Sequence, residues 1–178
     1  MRSMMPGFLS GYGRGYPRRL VLVCVLGLLL LAYGAGPAEA QTGGADIPPE
    51  YLDQYQASGA YWGLDWTILA GIGSVESDHG AYGSAEGCIL GPPTPYGSAH
   101  GPMQFLVSSW GFAGVDGTGN GFVDSCDYRD AIPSAANYLR MHGAPEDYYA
   151  AIYAYNRADW YVDAVRAEAQ RYDAIYNY

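Results

Sequence analysis

The sequence predicts a mainly α-helical single domain whose long loops wall a cleft, and three observations carry that reading. At 178 residues there is room for one compact domain and little else, since domains run from about 50 to 200 residues. The composition is 49% hydrophobic and 15% aromatic, with 18 tyrosines, which builds a packed core rather than a disordered chain. Apolar residues recur at three- and four-residue spacing in several segments, while no internal repeat and no sustained two-residue alternation is present.

The chain opens with Arg18-Arg19, a nearly pure apolar run from Leu20 to Leu31, then Gly34, Gly36 and the small-residue triplet Ala38-Glu39-Ala40. This is the pattern of a secretory signal peptide over residues 1–40, with cleavage expected after Ala40. An uncleaved anchor helix is the alternative, although Leu20 to Gly36 is short for a bilayer span. Cys24 follows the bulky Val23 too early in the run to act as a lipidation site. Export to the periplasm, cell wall or medium is therefore expected, without stable membrane insertion after cleavage.

Residues 41–46 are a short Gly-rich lead, and the folded domain is expected over 47–178. Pro49 suits the first turn of a helix running from Glu50 to Tyr61. Asp65 is a candidate N-cap for the next helix, which carries Trp66, Leu69, Ile72 and Val75 at helical spacing. That helix should end around Asp78 to Gly80, where Gly80 can take a positive φ. From Ala81 to His100 glycine and proline interrupt every periodicity, which predicts a loop. Pro102 is read as the opening of a short helix through Trp110, followed by a loop from Gly111 to Asp130. Three helices then follow, Ala131 to His142, Glu146 to Tyr155 and Asp159 to Tyr176. The last aligns Tyr161, Val165, Ala169, Tyr172 and Tyr176 on one core-facing stripe.

All nine basic residues are arginines, and four of them lie in the first forty positions. Downstream, five Arg face seventeen acidic residues, a net charge of −12. Such a domain repels phosphate backbones and anionic headgroups, so nucleic acid is excluded as a partner. An uncharged or amphoteric glycan polymer, held by hydrogen bonds and aromatic faces, suits it better, and the domain is expected to act as a monomer.

Cys88 and Cys126 are the two cysteines left after cleavage, and an even count in an exported chain points to a disulfide. It would close a loop of about 40 residues, a contribution of about 2 to 4 kcal/mol. In a reducing compartment the same pair would be two buried thiols.

Glu76 lies seven residues after Leu69 and four after Ile72, on the apolar face of its helix. Desolvation there would raise its pKa and keep a proton available near neutrality. Considered alone, a glutamate near a helix end is more often solvated. The segment from Asp116 to Asp127 can be aligned with the twelve-position calcium loop. Asp116, Thr118, Asn120, Asp124 and Asp127 then offer side-chain oxygens at positions 1, 3, 5, 9 and 12, Gly121 stands at position 6, and Phe122 offers its carbonyl at position 7. Thr118 and the short Asp127 depart from that pattern, and a metal-free Gly-rich turn is the alternative.

Glu76-Ser77-Asp78-His79-Gly80, Gly101-Pro102-Met103-Gln104-Phe105 and Ala154-Tyr155-Asn156 occur in this order. Together they resemble the three motifs of the lytic transglycosylase family with the lysozyme-like α+β fold. The likeness spans about Ile47 to Tyr172 and is closest to the branch containing membrane-bound lytic murein transglycosylase B. That resemblance implies cleavage of the MurNAc–GlcNAc bond of peptidoglycan glycan strands, leaving a 1,6-anhydro-muramoyl end, with no cofactor required. It implies Glu76 as the acid/base, Ser77 as the hydroxyl that helps arrange the site, and Gly101, Met103 and Gln104 as the groove lining. Tyr155 and Asn156 match the pair facing the carboxyl and the N-acetyl group, and the branch has a similar calcium-loop segment. Asp78 and His79 read as helix-end residues. The alternatives are a lysozyme-type hydrolase of the same bond and a non-catalytic peptidoglycan-binding wall protein.

Overall fold

The computed structural model describes residues 47–83 and 87–177. The expected signal peptide and the 41–46 lead lie outside them. The chain divides into Met1–Thr42 and Gly43–Tyr178, and the helical domain belongs to the second unit. Its elements are α1 (Pro49–Trp62), α2 (Trp66–Ser77), β1 (Ala99–His100), β2 (Phe105–Leu106), α3 (Val107–Ala113), α4 (Tyr128–Met141), α5 (Tyr148–Tyr155) and α6 (Asp159–Tyr176). Among the described residues no helix is long and apolar enough to cross a membrane.

The middle of the fold is α2. Asp65 caps it as expected, accepting from the Thr67 amide at 2.9 Å and the Thr67 hydroxyl at 2.7 Å. Ile68, Leu69, Ala70 and Ile72 are all buried, so the helix is apolar around its circumference, the signature of a central rather than a surface helix. Its most extensive partner is α6, whose buried Tyr161, Val162, Val165, Ala169 and Tyr172 form the predicted stripe. At the crossing a Cβ on Gly71 would fall 2.5 Å from the Val165 carbonyl oxygen. Only glycine lets the two backbones approach that closely. Helices α1 and α4 pack on each other and on α2, and α5 joins α4 to α6.

Two expectations change. The segment after Gly101 is not helical. Gly101 (φ 75°) and Gln104 (φ 48°) are both left-handed, which ends any helix at Pro102 and turns the chain into a two-stranded antiparallel hairpin with Ala99 opposite Leu106 and His100 opposite Phe105. Helix α3 then starts at Val107. Helix α4 begins three residues earlier than the sequence suggested, because the Asp127 carboxylate accepts from the Arg129 amide and caps it. Pro133 lies inside α4 and has no N–H to return to the Arg129 carbonyl. Gly117 packs directly on that carbonyl and on the Pro133 ring.

Candidate active site

Glu76 is the penultimate residue of α2, and Tyr161 lies in the first turn of α6. The close helix crossing brings them together, and the Tyr161 hydroxyl donates to Glu76 Oε1 at 2.6 Å. Burial pushes the Glu76 carboxyl up to about 7, against the pull of the Tyr161 hydrogen bond, which favours the charged form. Among the described residues no charged neighbour contributes to that shift. Of the four acids of the adjoining helix, Glu168 is paired with Arg171 at 2.8 Å. The result is a carboxyl group that keeps its proton up to near-neutral pH, the condition for one group to give and take the same proton.

Tyr155 ends α5, and its ring lies parallel to that of Tyr161, 5° between planes and 6.5 Å between centroids. Its hydroxyl donates to the Met103 carbonyl at 2.8 Å. Burial and the nearby Glu76 carboxyl hold both phenols well above the usual tyrosine value, so each stays a hydrogen-bond donor. Asn156 is the C-cap of α5, its amide bonded to the Ile152 carbonyl, beside Tyr155 as the motif requires.

The Gly101–Gln104 turn is tied to the end of α2 by Ser77. That serine is fully buried, donates to the Pro102 carbonyl at 2.6 Å and accepts from the Gly80 amide at 2.8 Å. Its hydroxyl arranges the two motifs relative to each other. Met103 is fully buried, so its side chain belongs to the core rather than to an exposed groove wall, and its carbonyl accepts from Tyr155. Gly101 is required by its backbone neighbours. It is left-handed, and any Cβ there would collide with the Ser125 carbonyl. The resemblance implied that glycine as groove lining; here its close neighbour is the Ser125 carbonyl. Gln104 Nε2 donates to the Gly101 carbonyl at 2.7 Å.

The turn after Glu76-Ser77 is unusual. Asp78 (φ 50°), His79 (φ 53°) and Gly80 (φ 86°) are consecutively left-handed, and the C-cap is Asp78 itself. Non-glycine residues pay about 1 to 3 kcal/mol each for this region and keep it only when their surroundings enforce it. The enforcement comes from His79, which is buried between the Tyr55 hydroxyl (3.1 Å to Nδ1) and the Tyr172 hydroxyl (2.6 Å to Nε2).

Residues 92–148 match the Transglycosylase SLT domain. The matched stretch holds the Gly101–Gln104 turn and the Asp116–Asp127 loop, while Glu76 and Tyr155 lie to either side of it. The fold is similar to that of the Escherichia coli lytic transglycosylase Slt35 in complex with bulgecin A. The TM-score is 0.57 at 17% identity, over 70% of this chain and 74% of that one. Slt35 in complex with calcium gives a TM-score of 0.53 at 18% identity over the same shares. No curated protein matches the chain. The mainly helical, lysozyme-like fold class expected from the motifs is thereby established.

The Asp116–Asp127 loop offers only oxygen donors, which suits a hard cation, and several of these oxygens accept from the loop's own N–H and O–H groups. Asp116 accepts from the amides of Gly119, Asn120 and Gly121 and from the Thr118 hydroxyl. Asn120 accepts from the Phe122 amide and Asp124 from the Cys126 amide. Asp127 is bound to the Arg129 guanidinium. Among the described residues no group of three or more His, Cys, Asp or Glu stands arranged to hold a metal ion. The second carboxylate facing the loop is Asp130, buried at 1% exposure, which accepts from the amides of Gly117, Thr118 and Asp124.

Asp130 and Tyr161 are the two residues that the sequence reading missed. Tyr161 was placed on the core stripe, where its ring does lie; its hydroxyl is what reaches Glu76. The Cys88–Cys126 disulfide is formed, with 4.9 Å between Cα atoms.

Proposed function

We propose that the chain is an exported lytic transglycosylase that cuts the MurNAc–GlcNAc bond of peptidoglycan, with Glu76 as its one acid/base. The observation that carries this reading is the partly buried Glu76, raised to about 7 by desolvation with no charged neighbour among the described residues. Most glycosidases need two carboxyl groups about 5 to 9.5 Å apart across the bond they break. A single group suffices where the substrate supplies its own nucleophile. Protonated Glu76 gives its proton to the glycosidic oxygen as the C1–O bond breaks, and the N-acetyl oxygen of the muramoyl residue supports the cationic C1. The Glu76 carboxylate then takes the proton of that sugar's C6 hydroxyl as O6 bonds to C1. The carboxyl group is restored and no water is consumed.

The transglycosylase match over 92–148 and the likeness to Slt35 support this reading. The order of the three motifs supports the finer placement beside membrane-bound lytic murein transglycosylase B, and the 1–40 pattern supports export. The calcium complex of Slt35 and the oxygen-rich loop support a structural calcium, but no step of the reaction needs one. Mass analysis of digested sacculi tests the proposal. Anhydro-muramoyl ends with wild type and none with Glu76→Gln are expected; ends heavier by one water would mean hydrolysis instead.

A further inference from the structure

The two sulfurs of the disulfide stand one residue away from the two backbone groups that enclose Gly101. Cys88 precedes Ile89, whose carbonyl accepts from the Gly101 amide at 2.8 Å and from Gln104 Nε2 at 3.5 Å. Cys126 follows Ser125, whose carbonyl presses on the Cα of Gly101; a Cβ there would also sit 3.3 Å from Cys126 Cα. Gly101 is therefore gripped from both sides by chain segments that the Cys88–Cys126 bond joins. The Cys88 segment lies before β1 and meets it through the Leu90–His100 bridge and the Gly91 amide donating to the Ala99 carbonyl at 2.8 Å, and the Cys126 segment lies in the loop before α4.

The grip bears on Gln104. Its φ of 48° is a conformation that a non-glycine residue holds only when its surroundings over-determine it. Its side-chain amide is fixed by the Gly101 and Ile89 carbonyls, and its backbone amide by the Gly101 carbonyl at 3.1 Å. Every one of these acceptors is Gly101 or the residue beside Cys88. The other face of the turn is held independently, by Ser77 to the Pro102 carbonyl and Tyr155 to the Met103 carbonyl. These contacts belong to the helical body and do not depend on the disulfide.

We propose that the Cys88–Cys126 disulfide is a positioning device for the glycan groove, holding Gln104 in its left-handed conformation by clamping Gly101 between Ile89 and Ser125. The part concerning glycan rests on the transglycosylase reading; the part concerning the clamp does not. Ile89 is a positioning residue through its carbonyl alone, which leaves no mark in its side-chain type. A bridge serving only to restrict the unfolded chain would act on stability and leave the native groove unchanged.

The test is the Cys88→Ser/Cys126→Ser protein, alone and combined with Gln104→Ala, assayed well below the melting temperature of each. In a Gln104 background, loss of the bridge is expected to raise KM on glycan oligomers about tenfold with kcat changed less than threefold. In the Gln104→Ala background it is expected to change KM less than twofold, because the group being positioned is already gone. Equal losses in both backgrounds would overturn the proposal. Hydrogen exchange gives a readout independent of activity. The Gly101 and Gln104 amides should exchange at least tenfold faster without the bridge, while buried α2 amides such as Leu69 and Ile72 keep their rates. Unchanged exchange at Gly101 and Gln104 would sink the clamp even if the wild type cuts glycan. Faster exchange there in a protein that never cuts glycan would uphold the clamp and reject only the transglycosylase reading.

Discussion

Tyr161 and Glu76 are 85 positions apart in sequence and 2.6 Å apart in space, joined by a phenol-to-carboxylate hydrogen bond. The bond opposes the effect of burial, so the acid is held near neutrality rather than above it. Tyr161→Phe should therefore raise the Glu76 pKa further and move the high-pH limb of kcat/KM upward, leaving the fold intact. A pH–rate profile checks the direction; a limb that moves down would contradict it.

Replacing Glu76 by Gln should abolish anhydro-muropeptide release, a loss of at least about a thousandfold if this group supplies general acid catalysis and its reversal. The same change should stabilise the protein at alkaline pH. The folded pKa, about 7, lies above the ordinary value of 4.5. The favourable neutral state is therefore fully present below about 4.5 and lost as pH rises through 7, a cost of about 3 kcal/mol. Thermal unfolding should give Glu76→Gln a clear advantage at pH 8.5 and almost none at pH 4.

His79 works in the opposite direction. Desolvation depresses it to about 4 from 6.5, so the stability tied to its neutral form is intact above 6.5 and disappears as pH falls through 4. Asp78 and Glu168 favour its cation and Arg171 opposes it, but burial outweighs all three. Melting curves of wild type and His79→Gln should converge as pH drops from 7 to 4; parallel curves would remove His79 from the acid response.

Asp130→Ala would leave the amides of Gly117, Thr118 and Asp124 without their acceptor inside the loop. A loss of about 3 kcal/mol is expected, with Asp130→Asn costing less because it keeps one oxygen. Urea denaturation of the two variants, measured with and without calcium, reads both values. If Asp130→Ala were as stable as wild type, the loop would not depend on this carboxylate.

The helical frame was legible because burial imposes a 3.6-residue period on α2 and α6, and because Pro49 and Asp65 mark helix starts by the hydrogen bonds they lack or supply. The β1–β2 hairpin was not. Strands of two residues carry no period, and proline at 102 reads as a helix opening until Gln104 is known to be left-handed. Of the site, Glu76, Tyr155, Gln104 and Ser77 could be found from the order of the motifs; the place of Glu76 among Leu69 and Ile72 does not by itself separate it from a solvated glutamate. The Tyr161 hydroxyl could not, since periodicity locates a ring but not the partner of its oxygen. Loop spacing selected Asp127, but Arg129 competes for that carboxylate within the same turn, and Asp130 faces the loop.

The Gly71–Val165 contact has a consequence beyond packing. Glu76 and Tyr161 ride on two rods that touch backbone to backbone at this contact, and each sits within about a turn and a half of it. A methyl group inserted there would pry the rods apart and lengthen the bond that sets the acidity of Glu76. The tuning of the acid thus depends on an atom that position 71 does not have.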